Sequence, residues 1–388
     1  MKAPLRGISV LAMCLVTALI SACSRSEAKA PNPKSWDQQA AAAYLDQREG
    51  WWMQWPGAAR DHGTFCVSCH TAMPYALARP TLRAALSEEG PSVNERKLLE
   101  DVTKRVRLWK DLEPYYNDQG YKPDESRGTE AVLNALILAS YDAPSGRLSA
   151  DTPTAFDNMW ELQQTTGDKA GAWRWLQFDL EPWEANDSQY YGATLAAIAV
   201  GLAPENYRST PQIQNNLKLL REYLDRNYAS QSTINRVDLL WASTKLPRLL
   251  TPEQQASIIK QVLSEQQADG GWRLPSLVWT SKGWSLSSLA STLIMRSVKE
   301  DGTPLAVKSD GYATGLITYV LQQAGIPRDN VHLQQGLAWL LRNQNEPEGL
   351  WRSDSLNKRR SPSSDTQLFM SDAATAYAVL ALTENNQH

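Results

Sequence analysis

Trp160 to Trp173 reads WELQQTTGDKAGAW: an amphipathic segment ends, a glutamine pair follows, then a turn with glycine, then tryptophan. The same order returns in LSEQQADGGW, Leu263 to Trp272, and in WLLRNQNEPEGLW, Trp339 to Trp351, and YLDQREGWW, Tyr44 to Trp52, reads as a fourth copy. Repetition of one such unit marks a chain stacked from helical pairs, each burying its apolar face against its neighbours. Beyond these endings lie segments of a second kind, rich in Ala, Leu, Thr and Tyr. They are GTEAVLNALILA from Gly128, DSQYYGATLAAIAVGLA from Asp187, SDGYATGLITYVLQQAG from Ser309 and SDAATAYAVLAL from Ser371. All are apolar nearly all round, as expected of helices enclosed between an outer layer and an inner space.

The two kinds alternate six times. Amphipathic helices are expected to start near Trp36, Ser92, Thr152, Thr210, Thr251 and Arg328, and apolar ones near Phe65, Gly128, Asp187, Ser232, Ser309 and Ser371. Thr251-Pro252-Glu253 shows the local wiring: an N-cap threonine, proline at the first helical position and acid in the first turn. Strand patterns are scarce, so the expected class is all-α. The chain opens with an amphipathic helix and ends with an apolar one, so the last can pair with the first. That order closes an (α/α)6 toroid of six inner and six outer helices, whereas an open solenoid of similar pairs would need polar caps at its ends.

The Gln-turn-Gly-Trp endings resemble the QW repeats of the terpene cyclase and protein prenyltransferase toroids, over about Trp36 to Leu382. The resemblance implies an inner ring around a central apolar cavity, with Trp52, Trp173, Trp272 and Trp351 bracing neighbouring pairs. It does not extend to chemistry. Squalene-hopene cyclase relatives protonate an alkene with an Asp-x-Asp-Asp motif that this chain lacks. The prenyltransferases hold zinc with aspartate, cysteine and histidine along later inner helices, where this chain has no cysteine. Neither activity is expected. Glu130, Asp187, Asp310 and Asp372, one at each of four inner-helix starts, read as N-terminal caps. EPWEANDSQYYG, Glu181 to Gly192, gathers Glu181, Glu184 and Asp187 with aromatics at a helix mouth. That grouping suits acid/base work on a polar ligand such as polysaccharide, and equally a solvated surface.

Residues 1–22 have a basic start, Lys2 and Arg6, and an apolar run from Ile8 to Ile20, which fits a secretory signal and is too short to span a bilayer. Leu19-Ile20-Ser21-Ala22-Cys23 resembles the lipobox of bacterial lipoproteins. The resemblance implies cleavage before Cys23, a lipid anchor on Cys23 and, with Ser24 next, transfer to the outer membrane. Residues 23–34 have the composition of a flexible tether, and 35–388 form the toroid domain. Losing Lys2 and Arg6 takes the formal charge from −3 to −5, with no basic block, so no nucleic-acid partner is expected.

Apart from Cys14 in the signal and Cys23, the cysteines are Cys66 and Cys69. Cys66-Val67-Ser68-Cys69-His70, at the head of the first inner helix, matches the attachment sequence of c-type haem, in which both thiols become thioethers and the histidine reaches the iron. The motif predicts covalent haem c with His70 as proximal iron ligand. Met370, at the start of the last inner helix, is the first candidate for the sixth position and His62 the second. A Cys66–Cys69 disulfide, zinc on His62, Cys66, Cys69 and His70, and a motif without cofactor are the competing readings. The expected function is that of a lipid-anchored haem protein of the bacterial cell envelope, facing the periplasm. It would act in electron transfer with a redox partner protein, or in haem-dependent oxidation of an apolar small molecule held in the ring. The alternative is a non-catalytic toroid lipoprotein that binds a lipid or a partner, its two cysteines disulfide-bonded and without haem.

Overall fold

The structure, a computed structural model, describes residues 35–278 and 305–384. The segments expected to be a signal and a tether, with Cys23, lie outside the described residues. Twelve helices of ten residues or more alternate between two layers among the described residues. The outer ones are α1 (Gln38–Gln54), α3 (Val93–Arg107), α5 (Thr152–Glu161), α7 (Gln214–Asn227), α9 (Pro252–Ser264) and α11 (Val331–Asn343). The inner ones are α2 (Ala72–Ala85), α4 (Lys122–Asp142), α6 (Ser188–Leu202), α8 (Thr233–Lys245), α10 (Gly311–Gln323) and α12 (Phe369–Glu384). Each inner helix packs on the next and α12 packs on α2, so the ring closes. The fold is an all-α toroid.

Burial separates the layers as the sequence patterns require. Every residue of α12 from Met370 to Thr383 is buried, whereas α7 buries only the stripe Leu217, Leu220, Tyr223 and Leu224. No helix among the described residues is long and apolar enough to cross a membrane.

In three of the quoted repeats glutamine and tryptophan have separate tasks. Gln163 Nε2 donates to Gly171 O and Asn216 O, both at 3.1 Å. Gln266 Nε2 donates to Gly270 O and His332 O, both at 2.8 Å, and Gln344 Nε2 to Gly349 O at 3.0 Å and Asp37 O at 2.9 Å. Each amide thus ties its own turn to the start of the next outer helix, respectively α7, α11 and α1. The buried indoles of Trp173, Trp272 and Trp351 donate backwards, to Met159 O (2.6 Å), Val262 O (2.8 Å) and Leu340 O (2.8 Å). Gly349, at φ +76°, lets the last turn press on the first helix, because a Cβ there would lie 2.3 Å from Ala40 C.

The fourth copy departs from this plan. α1 runs unbroken through Gly50 and Trp52, with no turn, and Trp52 donates instead to Cys66 O at 2.6 Å. Nothing there breaks the helix, since Gly50 does not take a positive φ. The first inner helix starts at Ala72 rather than near Phe65, because Thr64–Phe65 pairs with Ala59–Arg60 in a two-residue antiparallel ladder. α4 starts at Lys122, with proline in its first turn, rather than at Gly128. Glu130 therefore lies mid-helix in a buried ion pair with Arg105 Nε at 2.5 Å and is no cap. Asp310 does cap its helix, accepting from Ala313 N at 3.0 Å, while Asp187 makes no such bond.

The seam at Gly349 gives the first prediction. Gly349→Ala should lower unfolding free energy by about 3 kcal/mol or more, since it combines a disfavoured backbone with a clash against a neighbouring main chain. Gly146→Ala, also at positive φ but facing open space, should cost about 1 kcal/mol. Equal urea midpoints for the two variants would show that the ring is not held together at this seam.

Candidate functional site

The Cys66 to His70 segment is an extended strand end followed by a turn, and it hands over to α2 at Ala72. Its middle serine explains the handover: Ser68 Oγ accepts from Thr71 N (3.2 Å) and Ala72 N (3.0 Å), satisfying amides that the new helix leaves open. Cys66 is fixed on both sides, its N–H donating to Ala58 O (2.8 Å) and its carbonyl accepting from the Trp52 indole. Phe65 N donates to Asp101 Oδ1 at 3.0 Å. Both cysteines are buried free thiols. Burial pushes the Cys66 thiol up to about 12 and raises Cys69 as well, with Glu184 adding to both.

His70 is the better-defined member. Asp372, in the first turn of α12, accepts from Arg48 Nε (2.8 Å) and Nη2 (3.0 Å), from Tyr44 Oη (2.8 Å) and from Thr71 Oγ1 (2.7 Å). Burial raises Asp372, but four hydrogen bonds from three side chains, two of them from the Arg48 guanidinium, favour the carboxylate. Since Thr71 spends its only proton on Asp372, the 2.8 Å contact between Thr71 Oγ1 and His70 Nδ1 must be donated by the ring. Burial first, then the charges of Arg48 and Arg360, push His70 down to about 3, so the imidazole is neutral at pH 7. Nδ1 carries the proton and Nε2 carries the lone pair. Phe369 stacks on the imidazole at 3.8 Å, Trp52 meets it edge-on at 4.9 Å and Trp183 lies 5.9 Å away.

The other sequence candidates fall in different places. Met370 is buried in α12, next to the Phe369 that covers His70. His62 sits at the tip of the small hairpin at φ 54°, its side chain 49% exposed and its Nδ1 3.1 Å from Asp61 Oδ2. Among the described residues no three His, Cys, Asp or Glu side chains come together as a metal site, so the zinc arrangement on His62, Cys66, Cys69 and His70 is not assembled. Beside the hairpin lies a cavity of about 340 Å³, lined by Arg60, Asp61, Glu113, Tyr115 and Tyr116 among others. The Glu181 cluster is divided: Glu181, pushed up to about 8 by burial and then by Asp187, faces that aspartate. Glu184, raised to about 7 by burial, acts instead on the two thiols.

Sequence reasoning missed an anomalous acid inside the ring. Asp238 points from the middle of α8 into the ring, 2% exposed, and its Oδ1 has no hydrogen-bond partner. Burial alone pushes it up to about 8. Tyr191 of α6, Tyr312 of α10 and Tyr377 of α12 surround it closely enough to interact electrostatically with it and with one another. A carboxylate inside the apolar run TINRVDLLWAS, away from any helix end, was the available signal.

No family model and no curated protein matches the chain. Solved structures do match, and one of them, a glycosidase variant, is similar over 90% of this chain and 98% of that one, with a TM-score of 0.47 and 12% identity.

Asp238 supplies the second prediction. Its carboxyl is held at about 8 in the fold, against ~3.9 in an unfolded chain, so the native state binds the proton more tightly. Its contribution to stability is therefore lost as pH climbs from about 4 through about 8. Asp238→Asn abolishes that dependence. The stability of the variant minus that of the wild type should rise by about 3 kcal/mol between pH 5 and 8 in urea titrations. A pH-independent difference would mean that Asp238 is ionised and paired.

Proposed function

We propose that the chain is a c-type haem protein built on an α/α toroid, with Cys66 and Cys69 as covalent anchors and His70 as the proximal ligand. The observation that carries this reading is the Asp372–Thr71–His70 chain. A metal-binding imidazole needs a neutral ring, a protonated far nitrogen held by a partner and a free lone pair, and His70 has that state before any group is bound. Haem bound there would supply one-electron redox chemistry. The protein's own contribution is to fix the tautomer, to strengthen the ligand through the Thr71 bond and to keep water away with Trp52, Trp183 and Phe369. Among the two modes the motif allows, we favour electron transfer to a partner protein over oxidation of an apolar ligand, because aromatic rings rather than acid/base groups surround His70.

Met370 is the preferred sixth ligand, since it is buried beside the residue that covers His70, while His62 is half exposed and engaged with Asp61. The lipid anchor at Cys23 and an outer-membrane, periplasm-facing location complete the reading.

Full-length protein made together with cytochrome c maturation machinery should give a c-type pyridine haemochrome that survives acid–acetone extraction. Cys66→Ala with Cys69→Ala should lose it. Thr71→Val removes the bond that makes His70 more basic, so the haem midpoint potential should rise while haem content is unchanged. A colourless protein carrying a Cys66–Cys69 disulfide would overturn the proposal in favour of a binding lipoprotein.

A further inference from the structure

Among the described residues, four hydrogen-bonding groups inside the ring make no hydrogen bond of normal geometry, although the Trp241 indole lies near the Tyr319 hydroxyl. They are Asp238 Oδ1 and Trp241 Nε1 on α8, Tyr191 Oη on α6 and Tyr377 Oη on α12, and every one of these residues is at most 3% exposed. Their neighbour Tyr312 is engaged, its hydroxyl accepting from Trp183 Nε1 at 3.1 Å. The Tyr377 hydroxyl lies against those of Tyr191 and Tyr312 without a hydrogen bond of normal geometry. Each such unpaired group costs about 1–3 kcal/mol, and such groups are rare enough in folded proteins that several converging from three helices call for a ligand.

The chemistry of the set narrows the ligand. Among the described residues no lysine or arginine bears on Asp238, burial favours its un-ionised form, which donates, and an anionic ligand would find no counter-charge there. The unpaired groups are then donors: an acid O–H, two phenol O–H groups and an indole N–H. A sugar would bring hydroxyl protons that need acceptors in return. The walls are aromatic, with Tyr312 and Tyr377 centroids 5.3 Å apart, Trp241 and Tyr377 at 6.4 Å, and Trp183 and Tyr312 at 5.7 Å. Such walls favour a flat ring.

We propose that the interior of the toroid binds an uncharged planar ring carrying carbonyl oxygens, of which a quinone is the simplest, with Asp238, Tyr191, Tyr377 and Trp241 donating to those oxygens. The inference rests on the ring interior alone and stands whether or not haem is attached at Cys66 and Cys69.

Duroquinone is a suitable probe, because its fully substituted ring does not add to the thiols. Titrated into the full chain, with equilibrium dialysis and quenching of tryptophan emission as readouts, it should bind saturably at one per chain. Asp238→Leu should weaken binding by about tenfold or more, the worth of one lost hydrogen bond to a buried partner, while raising the melting temperature because an unpaired buried carboxyl has gone. Asp238→Asn keeps a donor and should stay within a few-fold of the wild type, and Trp241→Phe keeps the ring without the donor and should weaken binding. Should Asp238→Leu fail to fold, these last two carry the comparison. Failure of the wild type to bind duroquinone saturably, equal binding by the wild type and Trp241→Phe, or saturable binding of cellobiose in place of duroquinone would each overturn the assignment.

Discussion

One carboxylate joins the two ends of this fold. Asp372 in α12 is gripped by Arg48 and Tyr44 of α1 and by Thr71 at the entrance to α2, residues more than three hundred positions away in the chain. Arg48 itself is only 3% exposed and also reaches Asp365. Breaking such a buried pair leaves a charge without compensation and typically costs about 3–5 kcal/mol. The same carboxylate fixes the protonation of His70 through Thr71. Closure of the ring and definition of the motif histidine are therefore one electrostatic arrangement.

The outer layer is closed by a different device. Side-chain amides at Gln163, Gln266 and Gln344 do what a longer β-ladder or a disulfide does elsewhere, satisfying carbonyls in a turn and in the next helix with one planar group. Because each amide reaches forward to the next outer helix while each tryptophan reaches back to the helix that its own turn ends, every turn is locked on both sides. This leaves the inner helices free to be apolar and small, and the few polar residues among them stand out. Asp238 and its tyrosines are such residues, in a region where packing alone would have chosen leucine.

Much of this was legible in the sequence. Two alternating patterns, one striped and one apolar throughout, gave the twelve helices and the closed order, since period and composition are what decide which faces are buried. The misreadings share a cause: tertiary partners outrank local cues. Gly50 and Trp52 carry the letters of a repeat, but α1 continues because its buried face is uninterrupted. Glu130 looks like a cap until Arg105, from another helix, is seen beside it. The spacing of Cys66 to His70 matches an attachment motif that a local window can show, whereas the Thr71–Asp372 bond behind it spans 301 positions and no local window contains it. Asp238 could be read only as an oddity, because its significance lies in the phenols that three other helices bring to it.

The seam also sets an order of events. α1 and the motif are made early, but Arg48 and Tyr44 meet Asp372, and Gln344 meets Asp37, only when nearly the whole chain has emerged. Until then the first and last repeats lack their neighbours and the thiols of Cys66 and Cys69 are open to their surroundings. In the finished ring both thiols are buried. If haem is attached to them as proposed, the attaching enzyme would have to act before the circle is complete, while Asp372 has yet to meet Thr71.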